Sequence, residues 1–211
     1  MSSTFKKTKS SHDTMKNDVF TSTGKEKQMG EFDNLLARYN VKDTINGSKS
    51  LLPYFVANYV KRYGTEGRPV TPADVTKYIE EHHLCTTVDV KTVGRVLKTL
   101  CAEVDCFHTK PHLGYWYDAE NPERANGTND NGNARKSLAP YFIALILGEK
   151  TAPDMPMTQK ELQDVLAAEP YGISIERKAL SRNVRTLCES VMDFREDRAR
   201  GVWADSGKGN R

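Results

Sequence analysis

The chain has 211 residues, 28% of which are charged, and a formal net charge of +3 at pH 7. An excess this small does not indicate an acidic partner, so any signal for nucleic acid has to come from a local basic stripe. No stretch approaches the roughly 18 apolar residues of a membrane span, and the first residues lack the apolar core of a secretory signal. We therefore expect a cytoplasmic protein that makes no membrane contact, with its four cysteines as reduced thiols.

The first 45 residues have the composition of a largely disordered tail. Residues 1–30 are rich in Ser, Thr and Lys, and they carry too few large apolar side chains to offset the entropy of ordering. Phe32, Leu35 and Tyr39 are spaced to share one edge of a helix, which predicts a short helix over residues 31–39. Its apolar edge would dock on the following domain or, in a homodimer, on a second copy of the chain.

Residues 46–118 and 133–205 are two copies of one sequence module. They align at a constant offset of 87 without a gap, and 20 of the 73 aligned pairs are identical. The identical pairs include Pro53/Pro140, Tyr54/Tyr141, Phe55/Phe142, Lys91/Lys178, Arg95/Arg182, Gly114/Gly201 and Trp116/Trp203. A position kept in both copies is needed by the shared fold or by a shared contact. The repeat predicts two domains, with a flexible Asn/Gly-rich linker over residues 119–132 and a tail over residues 206–211.

Each copy begins with two predicted helices. The first covers residues 50–62 in one copy and 137–147 in the other, each with a serine as the N-cap candidate and a proline in the first turn. The second helix starts at Thr71 and at Thr158, where an acid three residues later predicts a capping box.

A third helix and a hairpin complete each copy. The helix is predicted to begin at the N-cap candidates Thr87 and Ser174, and two β-rich runs around a polar turn follow it over residues 106–117 and 193–204. Three helices followed by a hairpin predict a mainly α fold with small β-hairpins, in the form of tandem duplicated winged helix-turn-helix domains.

The third helix has two opposite faces in both copies. One face is apolar, with Val93, Leu97, Leu100 and Val104 in the first copy and Leu180, Val184, Leu187 and Val191 in the second. The opposite face is cationic, with Lys91, Arg95 and Lys98 in the first copy and Lys178, Arg182 and Arg185 in the second. A buried stripe behind a cationic stripe is typical of a helix that lies in the DNA major groove. The alternative is that these charges simply face solvent. Three equivalent positions are cationic in both copies, however, which favours DNA binding.

Residues near the start of the third helix are candidates for contacts with base edges. They are Thr87, Asp89 and Thr92 in the first copy and Ser174, Arg177 and Ser181 in the second. Four positions in the first half of this helix differ between the copies: Val90/Arg177, Thr92/Ala179, Gly94/Ser181 and Val96/Asn183. If they read bases, the two domains prefer different half-sites; neutral drift of surface positions explains the differences equally well.

The hairpins add further cationic candidates. They are His108, Lys110 and His112 in the first copy and Arg195, Arg198 and Arg200 in the second, all suited to phosphates or to the minor groove. Trp116 and Trp203 follow the shared glycines, and we interpret them as parts of the core; the alternative is a platform on which bases stack.

Residues 87–106 and 174–193, each followed by a hairpin with Gly-Tyr-Trp-Tyr or Gly-Val-Trp-Ala, resemble the N-terminal winged helix of bacterial WYL-domain transcriptional regulators. The resemblance covers about 50 residues of each copy. It implies DNA contacts by Lys91, Thr92 and Arg95, and by Lys178 and Arg182, whereas Ala179 departs from the family's threonine. Only six residues follow Asp205, so the family's ligand-sensing domain is not expected and no small-molecule effector is implied.

Metal binding and catalysis are disfavoured by the comparison of the copies. His82, His83, Cys85, Cys101, Cys106, His108 and His112 are zinc-ligand types in the first copy. Of the seven counterparts in the second copy, Glu169, Cys188 and Asp193 are possible metal ligands and the other four are not. We therefore expect no metal and no cofactor. No phosphate-binding glycine loop and no nucleophile motif is present, and we do not expect an enzyme.

The sequence thus predicts sequence-specific binding of double-stranded DNA by two linked winged helices, most simply in a transcriptional regulator associated with the nucleoid. One alternative is an adaptor that grips a protein partner with tandem winged helices, as in chromosome segregation. Another is a plasmid or phage replication initiator, which would use the same DNA contacts.

Overall fold

The computed structural model describes residues 49–85, 87–122 and 133–205. The predicted tail over residues 1–45 with its short helix, most of the predicted linker, and residues 206–211 lie outside the described residues. In the described parts the chain is mainly helical, with two small antiparallel β-hairpins. This confirms the predicted mixture of helices and hairpins.

The same order of elements occurs twice. The first half contains a 3₁₀ turn Lys49–Leu51, α1 Leu52–Tyr63, α2 Pro72–Glu81, α3 Val90–Glu103, β1 Phe107–Lys110 and β2 Gly114–Tyr117. The second half contains α4 Asn133–Ser137, α5 Ala139–Lys150, α6 Gln159–Ala167, α7 Arg177–Ser190, β3 Phe194–Asp197 and β4 Gly201–Ala204. The limits of α1 and α5, of α3 and α7, and of the paired strands differ by the sequence offset of 87.

Both predicted capping boxes are present. Asp74 Oδ2 accepts a hydrogen bond from the Thr71 amide at 2.8 Å, and the Asp74 amide donates to the Thr71 hydroxyl at 3.3 Å. Thr158 and Glu161 form the same pair of bonds at 2.7 and 3.2 Å. These bonds satisfy amides that have no partner within the helix, which fixes where α2 and α6 begin.

The serine caps predicted for the first helices are wrong. The N-cap residues of α1 and α5 are Leu51 and Leu138, and neither helix has a side-chain cap. A helical turn precedes each helix: Ser50 lies at the middle of the turn Lys49–Leu51, and Ser137 is the last residue of α4. The Ser137 hydroxyl accordingly donates backwards, to the Ala134 carbonyl at 2.6 Å.

The N-caps of the third helices lie two residues later than predicted. Their N-cap residues are Asp89 and Glu176, and Thr87 and Ser174 lie before the helix. Val88 is 2% exposed, so the segment before α3 stays extended and buries this side chain. The short Asp89 side chain then reaches the Thr92 amide at 2.9 Å, whereas Glu176 makes no cap bond.

One residue before the second helix of each half forms an isolated β-bridge with the hairpin. Val70 pairs with Tyr115, and Met157 pairs with Val202, in both cases through two backbone hydrogen bonds of 2.8 Å. The sequence analysis missed this pairing because a single bridge leaves no alternating pattern. The bridge ties the start of α2 or α6 to the hairpin that follows the third helix.

The glycine shared by the two hairpins is required by this bridge. Gly114 has φ +127° and Gly201 has φ +110°, a region that side chains rarely adopt. A Cβ atom at either glycine would lie 2.5 Å from the carbonyl oxygen of Val70 or Met157. The close approach of this carbonyl explains why both copies have glycine at this position.

The apolar face of each third helix is buried, as predicted, except at Val104, which is half-buried at the C-cap of α3. Val93, Leu97 and Leu100 on α3 are at most 1% exposed, and Leu180, Val184 and Leu187 on α7 are fully buried. Trp116 is 7% exposed and belongs to the core, as predicted, while Trp203 is half-buried. Each third helix therefore has a fixed orientation, which decides what its other face presents to solvent.

The two halves pack directly against each other. Helix α1 contacts α5, the 3₁₀ turn contacts α7, and α4 contacts α3. The Tyr54 ring lies 6.3 Å from the Phe194 ring, and the Tyr141 ring lies 6.0 Å from the Phe107 ring, both edge to face. In addition to the predicted linker, a direct interface therefore joins the two halves. Tyr54, Phe55 and their counterparts lie on the helices that form this interface, which is consistent with their identity in both copies.

Candidate nucleic-acid interface

The six predicted cations on the third helices are all exposed. They are Lys91, Arg95 and Lys98 on α3 and Lys178, Arg182 and Arg185 on α7. The buried residues of each helix occupy its opposite face, so packing holds the cationic face outward in both halves.

Among the residues that the structure describes, no acid forms an ion pair with these cations. Over residues 49–85, 87–122 and 133–205, the ion pairs involve Lys77, Lys110, Arg135 and Arg195, and none involves a member of the six. Each third helix therefore offers three positive charges, spaced about one turn apart, to an anionic partner. This spacing suits a protein helix in a DNA groove, because successive phosphates line the edge of the groove.

The first turn of α3 contains a local hydrogen-bonded pair. The Thr92 hydroxyl donates to Asp89 Oδ2 at 2.7 Å, in addition to the bond from the Thr92 amide. The Thr92 side chain and amide together lower the pKa of the Asp89 carboxyl, which is thus held as an anion at the exposed N-terminus. A carboxylate in this position repels phosphate but can accept a hydrogen bond from the amino group of cytosine.

The remaining first-turn candidates differ in exposure. Thr87 and Ser174 are exposed in the segment before each helix, and Arg177 is exposed at the first position of α7. Ser181 is half-buried, one turn further along. The start of α7 therefore carries an additional cation where α3 has the apolar residue Val90, which is 47% exposed.

The hairpin of the first half is tied to the turn between α1 and α2. Lys110 Nζ forms an ion pair with Glu66 Oε1 at 2.8 Å and lies over the Trp116 ring, 5.4 Å from its centroid. Glu66 belongs to the turn closed by the Thr65–Arg68 bridge. Lys110 thus stabilises the hairpin in this structure, whereas His112 is exposed at the hairpin turn.

The hairpin of the second half has an equivalent tie. Arg200 donates to the Pro153 carbonyl, in the turn closed by the Ala152–Met155 bridge, and lies over the Trp203 ring at 5.1 Å. Arg198 is exposed at the tip of this hairpin. In both halves one basic side chain holds the hairpin, and another basic residue, His112 or Arg198, lies exposed at its tip.

The interpretation of His108 as a surface cation is wrong. His108 is 6% exposed, and its ring stacks on Trp116 at 5.4 Å with an angle of 24° between the planes. It lies on the inner side of β1, opposite Trp116 in the hairpin register, so its side chain packs in the core. Its counterpart Arg195 is exposed and approaches Asp205 at 3.7 Å.

Two residues that the sequence analysis missed join the halves. Arg135 forms an ion pair with Glu103 at the end of α3, and Lys61 on α1 lies about 5 Å from the rings of both Tyr117 and Tyr141. Burial lowers the pKa of Lys61. Neither residue is repeated in the other copy, so a comparison of the copies could not identify them.

The cysteines and histidines of the first half form no cluster. The four cysteines make no disulfide, and burial raises the pKa of Cys101 and Cys188 to about 12, so both are inert thiols. Among the residues that the structure describes, no three His, Cys, Asp or Glu side chains lie close enough together to hold a metal ion.

Comparisons of the chain with protein-family models, curated proteins and solved structures find no match. In the described parts of the chain, every helix is too short or too polar to cross a bilayer.

Proposed function

We propose that the two halves are winged helix-turn-helix domains that bind double-stranded DNA in a sequence-specific manner, with α3 and α7 in the major groove and the hairpins as wings. The chain would act as a transcriptional regulator by occupying its site. The observation that carries the proposal is the pair of exposed cationic faces, three residues each, that no acid among the described residues neutralises.

Several features of the structure support this proposal. In each half an isolated bridge, Val70 to Tyr115 or Met157 to Val202, joins the segment before the second helix to the hairpin, at the position of the first strand of a winged helix. This order of helix, bridged segment, helix, helix and hairpin is that of a winged helix. The tips of the hairpins carry His112 and Arg198, both exposed, where a wing approaches phosphates.

The contact between the halves also favours binding to a duplex. Two domains on a flexible tether lose orientational freedom when both engage the same molecule, whereas domains already packed together lose less. The buried rings of Tyr141 and Phe107, at 4% and 3% exposure, hold the relative orientation of α3 and α7 before DNA arrives.

The proposal is tested by reversing one central cation on each helix. The variant Arg95→Glu with Arg182→Glu changes the charge by the same amount as Lys136→Glu with Lys150→Glu, a matched control whose two exposed lysines lie outside α3 and α7. Binding to a fluorescently labelled duplex is measured by anisotropy from low to moderate salt, and folding of each variant by circular dichroism.

We expect the control to retain the affinity of the unmodified protein within a few-fold. The Arg95/Arg182 variant should lose measurable binding, or bind with a salt dependence that is flatter by about two phosphate contacts. If the folded Arg95/Arg182 variant and the control bind equally, the proposed interface is wrong. Absence of duplex binding by the unmodified protein, both to mixed-sequence DNA and to a random-sequence library at low salt, overturns the proposed function itself.

A further inference from the structure

We infer that the DNA site of this chain is an inverted repeat whose two half-sites differ in sequence. The inference rests on the proposed function and specifies its substrate. It follows from the way in which the two halves contact each other, together with the residues that differ between α3 and α7.

The ring contacts between the halves are reciprocal. Tyr54 and Tyr141 are equivalent at the offset of 87, and so are Phe107 and Phe194. Tyr54 of the first half contacts Phe194 of the second, and Tyr141 of the second half contacts Phe107 of the first, at 6.3 and 6.0 Å with interplanar angles of 75° and 81°. Each half thus presents the same pair of surfaces to the other.

The contacts between elements follow the same rule. Helix α1 packs against its own equivalent, α5. The 3₁₀ turn of the first half contacts α7, and α4, which contains the equivalent of the start of that turn, contacts α3. Contacts in which residue i meets residue j and j in turn meets i define an isologous interface, which is the product of a two-fold axis.

A head-to-tail arrangement does not produce this pattern. If one half were repeated along a line, a surface on the first half would meet a different surface on the second, and helix α1 would have no reason to meet its equivalent. The chain is therefore built as an approximate two-fold dimer within one polypeptide. The axis relates α3 to α7, so the two cationic faces are related by rotation.

A two-fold axis in a DNA-binding protein is matched by a two-fold axis in its site. Half-sites read by helices that are related in this way run in opposite directions, which gives an inverted repeat. The half-sites here are unlike because the helices are unlike. Position 90 is Val where its equivalent is Arg177, and position 96 is Val where its equivalent is Asn183.

The test makes the two helices alike, so that the direction of each half-site can be read from sequence. Variant 1 gives α3 the divergent residues of α7: Val90→Arg, Thr92→Ala, Gly94→Ser and Val96→Asn. Variant 2 gives α7 those of α3: Arg177→Val, Ala179→Thr, Ser181→Gly and Asn183→Val. The changes suit the fold, since Val90 is 47% exposed and a Cβ at Gly94 would meet Pro72 at an ordinary contact distance of 3.7 Å.

The unmodified full chain and both variants are used to select bound duplexes from a random-sequence library. We expect the unmodified chain to select two unlike blocks. Variant 1 should select one of these blocks twice and variant 2 the other block twice, in each case in inverted orientation.

Direct repeats in either variant overturn the inference, because they require the two helices to point the same way along the duplex. A single block in both variants, or loss of selection by both, also overturns it, because the halves then do not read one duplex together. These outcomes differ from a failure of the proposed function, in which the unmodified chain itself selects no sequence and does not bind duplex.

Discussion

Arg135 of the second half donates a hydrogen bond from Nε to Glu103 Oε2 of the first half at 2.9 Å. The Glu103 side chain is only 4% exposed and lies near the end of the helix that carries Lys91 and Arg95. The guanidinium also donates to the carbonyls of Pro170 and Tyr171, both at 3.0 Å. One side chain thus joins α3 of the first half to a loop of the second half.

Removal of this guanidinium should weaken the whole structure. Arg135→Ala would leave the Glu103 carboxylate buried without this cation, and we expect a loss of about 3 kcal/mol in the free energy of unfolding. The measurement is urea unfolding followed by circular dichroism. Lys136→Ala is the control: it removes an exposed cation from the neighbouring position and should cost less than about 0.5 kcal/mol. Equal stability of the two variants would show that the ion pair contributes nothing.

The two tryptophans allow the halves to be observed separately, because the chain has only two and each hairpin contains one. Trp116→Phe leaves Trp203 as the reporter for the second half, and Trp203→Phe leaves Trp116 for the first. Because the halves share buried rings and an ion pair, we expect one cooperative transition. In each variant, tryptophan fluorescence and circular dichroism should give the same urea midpoint. A fluorescence transition that precedes or follows the loss of helix would contradict this coupling.

The local parts of the fold were predictable from sequence because their causes are local. The capping boxes at Thr71 and Thr158 depend on residues three positions apart, and the buried face of α3 depends on helical spacing. The exposed face of α3 was predictable for the same reason, since burial of one face fixes the other. The side-chain candidates of the proposed interface follow from this simple geometry.

The contacts between the halves were not predictable in this way. Tyr54 and Tyr141 were identified as shared, but nothing in the spacing indicates that each meets a ring of the opposite copy. Arg135 has no equivalent cation in the first copy, so a comparison of the two copies does not identify it. Contacts between distant segments depend on packing in three dimensions, which a pattern in one copy does not contain.

Gly114 provides a test of the bridge between Val70 and the hairpin. Gly114→Ala would place a Cβ at 2.5 Å from the Val70 oxygen, at a φ of +127°. We expect a loss of at least about 2 kcal/mol in the free energy of unfolding, from backbone strain and displacement of the bridge. In Gly67→Ala the added Cβ would meet no atom within 4 Å, and the φ is ordinary, so this control should be nearly neutral. A Gly114→Ala variant as stable as the control would rule out the close approach.

Acid should weaken the start of α2 by a defined mechanism. Bonds from the Thr71 amide and hydroxyl lower the pKa of Asp74 below its ordinary value of 3.8. The stability that this carboxylate contributes is present above that value and is lost as the pH falls through the folded pKa. Asp74→Asn should therefore destabilise the protein at pH 7, by less than about 1 kcal/mol because the carboxylate is exposed. Its difference from the unmodified protein should shrink below pH 4.

Urea unfolding of both proteins at a series of pH values from 7 to 2 measures this difference. Asp154→Asn removes the same charge from an exposed turn and serves as the control; we expect a difference within about 0.5 kcal/mol throughout the series. An Asp74→Asn difference that stays constant down to pH 2 would contradict the capping role of the carboxylate.

The last cation of each cationic face should contribute to affinity without contributing to sequence preference. Lys98 and Arg185 lie furthest from the N-termini of α3 and α7, so in the proposed complex they meet phosphates rather than base edges. Lys98→Ala and Arg185→Ala should each flatten the plot of log affinity against log salt by about 0.9, and the double variant by about 1.8. The loss in affinity should be similar for a selected site and for random duplex, which leaves the specificity ratio unchanged. Fluorescence anisotropy with both duplexes over a salt series measures these quantities, with Lys136→Ala as the control. A change in specificity ratio with an unchanged salt slope would instead assign these two side chains to the bases, and the orientation of both helices in the groove would have to be reversed.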